Sequence, residues 1–207
     1  MDSIIFDLDG TLWDSSENVL MIWNQVIKKY NENAISKEQL DSCMGLQIRE
    51  IGQKLFPDLE ADKQQKILKE CHEIECPYLA EHGAILYENV EDVLTELANK
   101  YKLFIVSNCQ SGYIEAFFQA HKLEKYFIDY EHPGRTGLSK GENIKLIIER
   151  NKLKNPIYVG DTQGDLNGAR FAGIPFVYAS YGFGNVSEYD YSIQSFSELL
   201  TLVTIDL

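Results

Sequence analysis

Four short apolar runs punctuate the chain: Ile4-Ile5-Phe6, Leu103-Phe104-Ile105-Val106, Ile157-Tyr158-Val159 and Phe176-Val177-Tyr178. They are continuous rather than alternating, which predicts strands covered on both faces, as in a parallel sheet. Helical spacing fills the intervals. Val90, Val93, Leu94 and Leu97 precede the second run, and Ile144, Ile147 and Ile148 precede the third. Ser139 with Glu142 forms a capping-box pattern, while Gly173 and Pro175 mark a stop after Ala169–Ala172. Phe196, Leu199, Leu200 and Val203 read as a closing helix over one face of the sheet. Alternating strand and helix predict an α/β, Rossmann-like doubly wound core.

From Ser15 to His82 the alternation breaks. Val19, Ile22, Trp23, Val26 and Ile27 recur at helical spacing, and no convincing strand follows. The economical reading is a small all-helical domain, residues 15–82, inserted after the first strand into a core of residues 1–14 and 83–207. Asp14-Ser15 and His82-Gly83 are its expected hinges.

With 207 residues, of which 44% are hydrophobic, one substantial core and one insert can be buried. The formal charge of −13 argues against nucleic acid and anionic membranes as partners. There is no run of about twenty apolar residues and no signal-peptide pattern at Met1, so a cytoplasmic protein is expected. Cys43, Cys71, Cys76 and Cys109 lack a framework spacing and read as free thiols. Cys71, His72 and Cys76 lack the second pair of ligands that zinc requires.

The chemistry sits where the strands end. The first runs into Asp7-Leu8-Asp9-Gly10-Thr11, the second into Ser107-Asn108, and the third into Gly160-Asp161, with Asp165 beyond. In an open parallel sheet, the carboxyl ends of the strands share one edge, so these residues should converge. Four carboxylates cannot crowd together as bare anions, and a hard cation resolves the conflict. Oxygen-only donors without adjoining Cys or His suit Mg²⁺. Ser107 opens a loop of small and polar residues suited to phosphoryl oxygens, with Asn108 expected to contribute its backbone N–H. Lys140, just after an N-cap, faces the positive end of a helix dipole unless an anion compensates. Asp165 could either begin a helix or assist the metal through water. Thr11 reads as a turn-shaping residue.

These four motifs, in this order, resemble the haloacid dehalogenase superfamily, and within it the phosphoglycolate phosphatase branch. The match comprises Asp7-Leu8-Asp9-Gly10-Thr11, then Ser107, then Lys140, then Gly160-Asp161-Thr162-Gln163-Gly164-Asp165. Relatives often place Pro after the lysine, whereas Gly141 follows it here. The resemblance implies a Mg²⁺-dependent phosphatase acting on a small phosphorylated metabolite through an aspartyl-phosphate. It assigns Asp7 as nucleophile, Asp9 as general acid and base, and the Asp7 carboxylate, the Asp9 carbonyl and Asp161 as metal ligands. It also makes the helical insert a cap. Gly45 and Arg49, in Gly45-Leu46-Gln47-Ile48-Arg49-Glu50, become candidate substrate contacts, Arg49 being either an anchor for a second anion or a member of an ordinary exposed ion pair. The rival readings are a sugar phosphomutase, which retains the acid, and a regulatory phosphate-binding protein without turnover. Either a monomer or a homodimer is compatible with the sequence.

Overall fold

The computed structural model describes residues 1–204. Its main sheet holds six strands: β1 (Ser3–Phe6), β4 (Lys102–Val106), β5 (Phe127–Glu131), β6 (Pro156–Gly160), β7 (Phe176–Ala179) and β8 (Tyr191–Ile193). Their order is β5-β4-β1-β6-β7-β8, and every neighbouring pair is parallel. The four expected apolar runs are the four central strands. The edge strands β5 and β8 escaped the hydrophobic pattern because they are half-exposed, with polar residues such as Asp129 and Ser192 interrupting them.

Alternate residues of the central strands feed two apolar layers. Ile4, Phe6, Leu103, Ile105, Ile157 and Val159 face one way. They meet α5 (Val90–Ala98), α6 (Tyr113–His121) and α10 (Glu198–Leu202), through residues such as Leu94, Phe117 and Leu199. Ile5, Phe104, Tyr158 and Phe176 face the other way, against Ile144 and Ile147 of α8 (Lys140–Asn151) and Leu166 and Ala169 of α9 (Gln163–Ala172). A four-residue helix, α7 (Pro133–Thr136), follows β5. None of the described helices is long and apolar enough to cross a membrane.

Between β1 and β4 lie α1 (Ser16–Lys29), α2 (Lys37–Asp41), α3 (Ile48–Leu55) and α4 (Ala61–His82), with no strand among residues 15–82. The two chain passages into and out of this segment pair with each other. β2 (Trp13–Asp14) and β3 (Ile85–Leu86) form an antiparallel ladder, Trp13 opposite Leu86 and Asp14 opposite Ile85. This stub ties together the two expected hinges, and at two residues per strand it is too short to leave a periodic signal. The helical segment does not keep a separate core: Val19, Ile22, Trp23 and Leu68 join the same apolar cluster as Phe6 and Phe117.

Candidate active site

β1, β4 and β6 deliver Asp7, Ser107 and Asp161 to one edge of the sheet, all three buried. Asp7, Asp161 and Asp165 bring one oxygen each to within 4.8 Å of one another. Lys140 is only 4% exposed and is the cation that this cluster holds: its Nζ is 3.1 Å from Asp7 Oδ1 and pairs still more closely with Asp165 Oδ1. A lysine at the first position of α8 is thus compensated by carboxylates, as the dipole argument required. Gly141 has its own cause here. A Cβ at that position would stand 2.6 Å from the Phe171 ring of α9, so a bulkier residue after Lys140 would push the two helices apart.

One cation does not neutralise three carboxylates. Burial, followed by the charges of Asp165 and Asp9, lifts Asp7 to about 7, with Lys140 opposing. Burial, together with Asp165 and Asp7, also drives Asp161 well above the ordinary carboxylate range. Asp161 Oδ1 is buried without a hydrogen-bond partner, and Asp7 Oδ1 has only its off-line ion pair with Lys140. Two orphaned, electron-rich oxygens beside a third carboxylate form a donor set fitted to a hard divalent cation.

Asp161 is held in that attitude by a cradle that sequence reading did not identify. Its Oδ2 accepts the Phe183 N–H at 2.7 Å and, more weakly, that of Gly184 at 3.4 Å, which leaves Oδ1 turned away. The backbone must come very close to do this. A Cβ on Gly182 would lie 2.4 Å from Asp161 Cβ, and one on Gly184 2.3 Å from the Asp161 carbonyl oxygen. On the opposite side Gly10, at φ +79°, leaves no room for a Cβ, which would meet Asp161 Oδ2 at 2.2 Å.

Asp165 is engaged on both oxygens. Oδ2 accepts from the N–H of Asp161 (3.1 Å), the N–H of Thr162 (2.8 Å) and Thr162 Oγ1 (2.7 Å). Oδ1 takes Lys140 Nζ and the Tyr158 hydroxyl. Asp165 thus closes the capping box of α9, the first of its two expected roles, and lies in the carboxylate cluster with both oxygens already engaged.

Asp9 differs from its neighbours. Its Oδ1 accepts from Trp13 Nε1 (2.9 Å), Ser15 Oγ (2.8 Å) and the Tyr113 hydroxyl (2.9 Å). Burial raises this carboxyl, the three donors pull it back, and it settles at about 6. With Oδ1 saturated, Oδ2 is the oxygen left to exchange a proton. Tyr113 is fixed by edge-on packing against Trp13, ring centroids 5.7 Å apart. Ser15 and Tyr113 left no sequence signal, because Tyr113 lies 104 residues from Asp9.

Over the site lies the turn at Gly45, φ +78°, whose carbonyl accepts from Asn108 Nδ2 at 2.8 Å. Asn108 thus uses its side chain, where its backbone N–H was expected to matter. Its Oδ1 is buried without a hydrogen-bond partner. Behind Gly45, a cavity of about 600 Å³ including its open mouth extends from Asp9 into the helical segment. Arg49 does not reach it. The first turn of α3 aims Ile48 and Ile51 inward, so Arg49, about 100° round the helix, is exposed and lines a separate shallow groove with Gln53 and Gln65. Among the described residues it forms no ion pair, so the exposed ion pair expected of it is not made.

A family model for haloacid dehalogenase-like hydrolases matches residues 4–179, a span that contains Asp7, Asp9, Ser107, Lys140, Asp161 and Asp165. The chain belongs to the haloacid dehalogenase-like hydrolases. It is 26% identical to the phosphoglycolate phosphatase of Vibrio parahaemolyticus over 98% of this chain and 96% of that protein. It is 24% identical to the Escherichia coli phosphoglycolate phosphatase, covering 95% and 90%. Among solved structures, a haloacid dehalogenase-like hydrolase from Streptococcus pneumoniae superposes with a TM-score of 0.88 at 22% identity, over 98% of both chains. A protein from Haemophilus somnus, described as a predicted phosphoglycolate phosphatase, gives 0.87 at 22% identity, again over 98% of both. Both superpositions extend over nearly the whole chain, so the likeness is one of overall fold.

Proposed function

We propose that this hydrolase cleaves a small phosphomonoester, with Asp7 as nucleophile and Asp9 as proton donor and acceptor. One observation carries the reading: Asp7 and Asp9, two residues apart, have opposite settings. Asp7 keeps an unbonded oxygen beside Lys140 and Asp161, whereas Asp9 has one oxygen clamped by three donors and the other free. The names of the relatives point the same way.

In this reading, an Asp7 oxygen attacks phosphorus as the bond to the ester oxygen breaks, and Asp9 Oδ2 protonates that oxygen so that it leaves as an alcohol. Asp9, now ionised, takes a proton from water. The water attacks the phosphorus, the bond to Asp7 breaks, and inorganic phosphate is released. Lys140 and the loop from Ser107 carry the charge on the phosphoryl oxygens, and Asp165 positions Lys140. Mg²⁺ is the cation proposed, held by Asp7, Asp161 and the Asp9 carbonyl, where it would neutralise the carboxylates and polarise the phosphoryl group. Residues 15–82 act as the cap that covers the leaving group. Hydrolysis of p-nitrophenyl phosphate with Mg²⁺ tests the reading. Phosphate release that vanishes in chelator and in Asp7→Asn is expected, and release that survives both rejects it. Product analysis with a sugar phosphate separates hydrolysis from exchange between hydroxyls.

A further inference from the structure

The cavity behind Asp9 carries its own chemical signature. Its walls are the side chains of Val19, Trp23, Leu40, Met44, Ile48 and Ile51, an apolar lining contributed by the helical segment. No Lys or Arg lines it; the charged residues around it are Asp9, His72 and Glu75.

Glu75, from α4, is 4% exposed. One of its oxygens accepts from Trp23 Nε1, and the other faces His72 Nδ1 at 3.0 Å. His72 Nε2 in turn meets the Ser111 carbonyl at 2.9 Å. Both partners of this imidazole are acceptors, so the ring carries both protons and forms a neutral pair with Glu75. Its two N–H groups are then spent. The carboxylate still has lone pairs to offer, and Asn108 also lines the cavity. Gln110 adds one neutral amide. Within an apolar wall, the cavity therefore offers acceptors to its occupant and no free cation.

We propose that this cavity receives an uncharged leaving alcohol, apolar in its body and bearing a second hydroxyl that donates to Glu75. The inference rests on the phosphomonoesterase reading and names its substrate class. A carboxylate-bearing alcohol would be desolvated within this apolar wall with no free cation to meet it, at a cost that nothing offsets. An ammonium would be desolvated against a Glu75 whose charge His72 already neutralises. A hydroxyl donates to Glu75 without bringing a charge into the wall.

The test is a matched series of phosphomonoesters: 2-hydroxyethyl phosphate, 2-aminoethyl phosphate and phosphoglycolate, with their four-carbon homologues. kcat/KM should favour the hydroxy ester over the carboxy ester by at least about tenfold, with the amino ester also below it. Equal values, or a preference for either charged ester, overturn the assignment. Glu75→Gln keeps the Trp23 bond and lets His72 accept through Nδ1, so it preserves packing while replacing a charged acceptor with an amide. It should narrow the hydroxy-to-carboxy ratio by about fivefold, the difference between charge-assisted and neutral hydrogen bonds. An unchanged ratio removes Glu75 from the account. Calorimetric titration of the same esters into Asp7→Asn reads the pocket without turnover. The same order of binding sustains the assignment even if the wild type releases no phosphate, in which case only the hydrolase reading fails. No order of binding overturns the assignment even in an active enzyme.

Discussion

Tyr113 donates its hydroxyl to Asp9 Oδ1 across 2.9 Å, joining the start of α6 to the end of β1. Ser15 touches both groups, at 2.8 Å from Asp9 and 2.7 Å from Tyr113. The contact occupies one Asp9 oxygen and lowers the carboxyl against its burial. Tyr113→Phe should move the Asp9-dependent limb of the pH–rate profile upward and reduce kcat/KM on alkyl phosphates by roughly tenfold, the worth of a hydrogen bond to a charged group. A reduced rate with an unmoved pH limb would assign Tyr113 to packing alone.

Asp7→Asn and Asp9→Asn should separate by substrate. The first removes the nucleophile and should abolish turnover of every ester. The second removes a proton source, so its loss should be smallest on p-nitrophenyl phosphate, whose leaving group departs unprotonated. Equal losses of Asp9→Asn on aryl and alkyl phosphates would count against its role as acid.

Metal and pH should act on stability together. The folded-state values of Asp7, at about 7, and Asp9, at about 6, lie above the ordinary 3.8, and Asp161 is raised as well. Between those limits the folded chain binds more protons than the unfolded one, so the cluster's contribution to stability declines as pH rises through this interval. Mg²⁺ binds the ionised form. Its gain in Tm over chelator should therefore be larger at pH 7.5 than at pH 5, as measured by thermal denaturation. A larger gain at pH 5 would place the cation elsewhere.

Gly182→Ala should damage metal use while sparing the fold. The new Cβ would fall 2.4 Å from both Asp161 Cβ and the Gly10 carbonyl oxygen, displacing the carboxylate from its cradle. The Mg²⁺ concentration for half-maximal activity should rise by about tenfold or more, in line with losses on mutating groups that orient metal ligands. An unchanged Mg²⁺ requirement would show that the loop yields without moving Asp161.

His132, at the end of β5, is 1% exposed with neither ring nitrogen hydrogen-bonded. Burial pulls its pKa below the ordinary 6.5, so the neutral ring is the folded form. The unfolded chain takes up that proton first, and stability is lost as pH falls below 6.5 toward the folded-state value. His132→Phe removes the titration and two unsatisfied atoms at similar volume. Denaturant midpoints should show the variant gaining on wild type by about 1–3 kcal/mol at pH 5, and by less at pH 7.5. Parallel curves at the two pH values would dismiss the imidazole as the acid-sensitive group.

Strands buried on both faces were legible because nothing polar interrupts Ile4–Phe6 or Ile157–Val159. β5 and β8 were not, since an edge strand with one wet side carries a weaker pattern. Asp7, Asp9, Lys140 and Asp161 could be read because each stands at the end of a recognisable element. Their supports could not. Ser15 and Tyr113 serve Asp9, and Phe183 serves Asp161, through contacts fixed only by the folded path of the chain. Arg49 illustrates the converse: its position at a helix start was legible, but the face it occupies depends on Ile48 and Ile51 claiming the interior.

The β2–β3 ladder places the whole helical excursion between two paired residues on each side. Nearly every apolar wall of the cavity is encoded inside that excursion, while the acids and the lysine are encoded outside it. On the proposed reading, substitutions among those apolar walls would redraw which alcohol fits and leave Asp7, Lys140 and Asp161 in place, so the two properties could diverge at different rates, with Ser15 and Gly45 as the points where they meet.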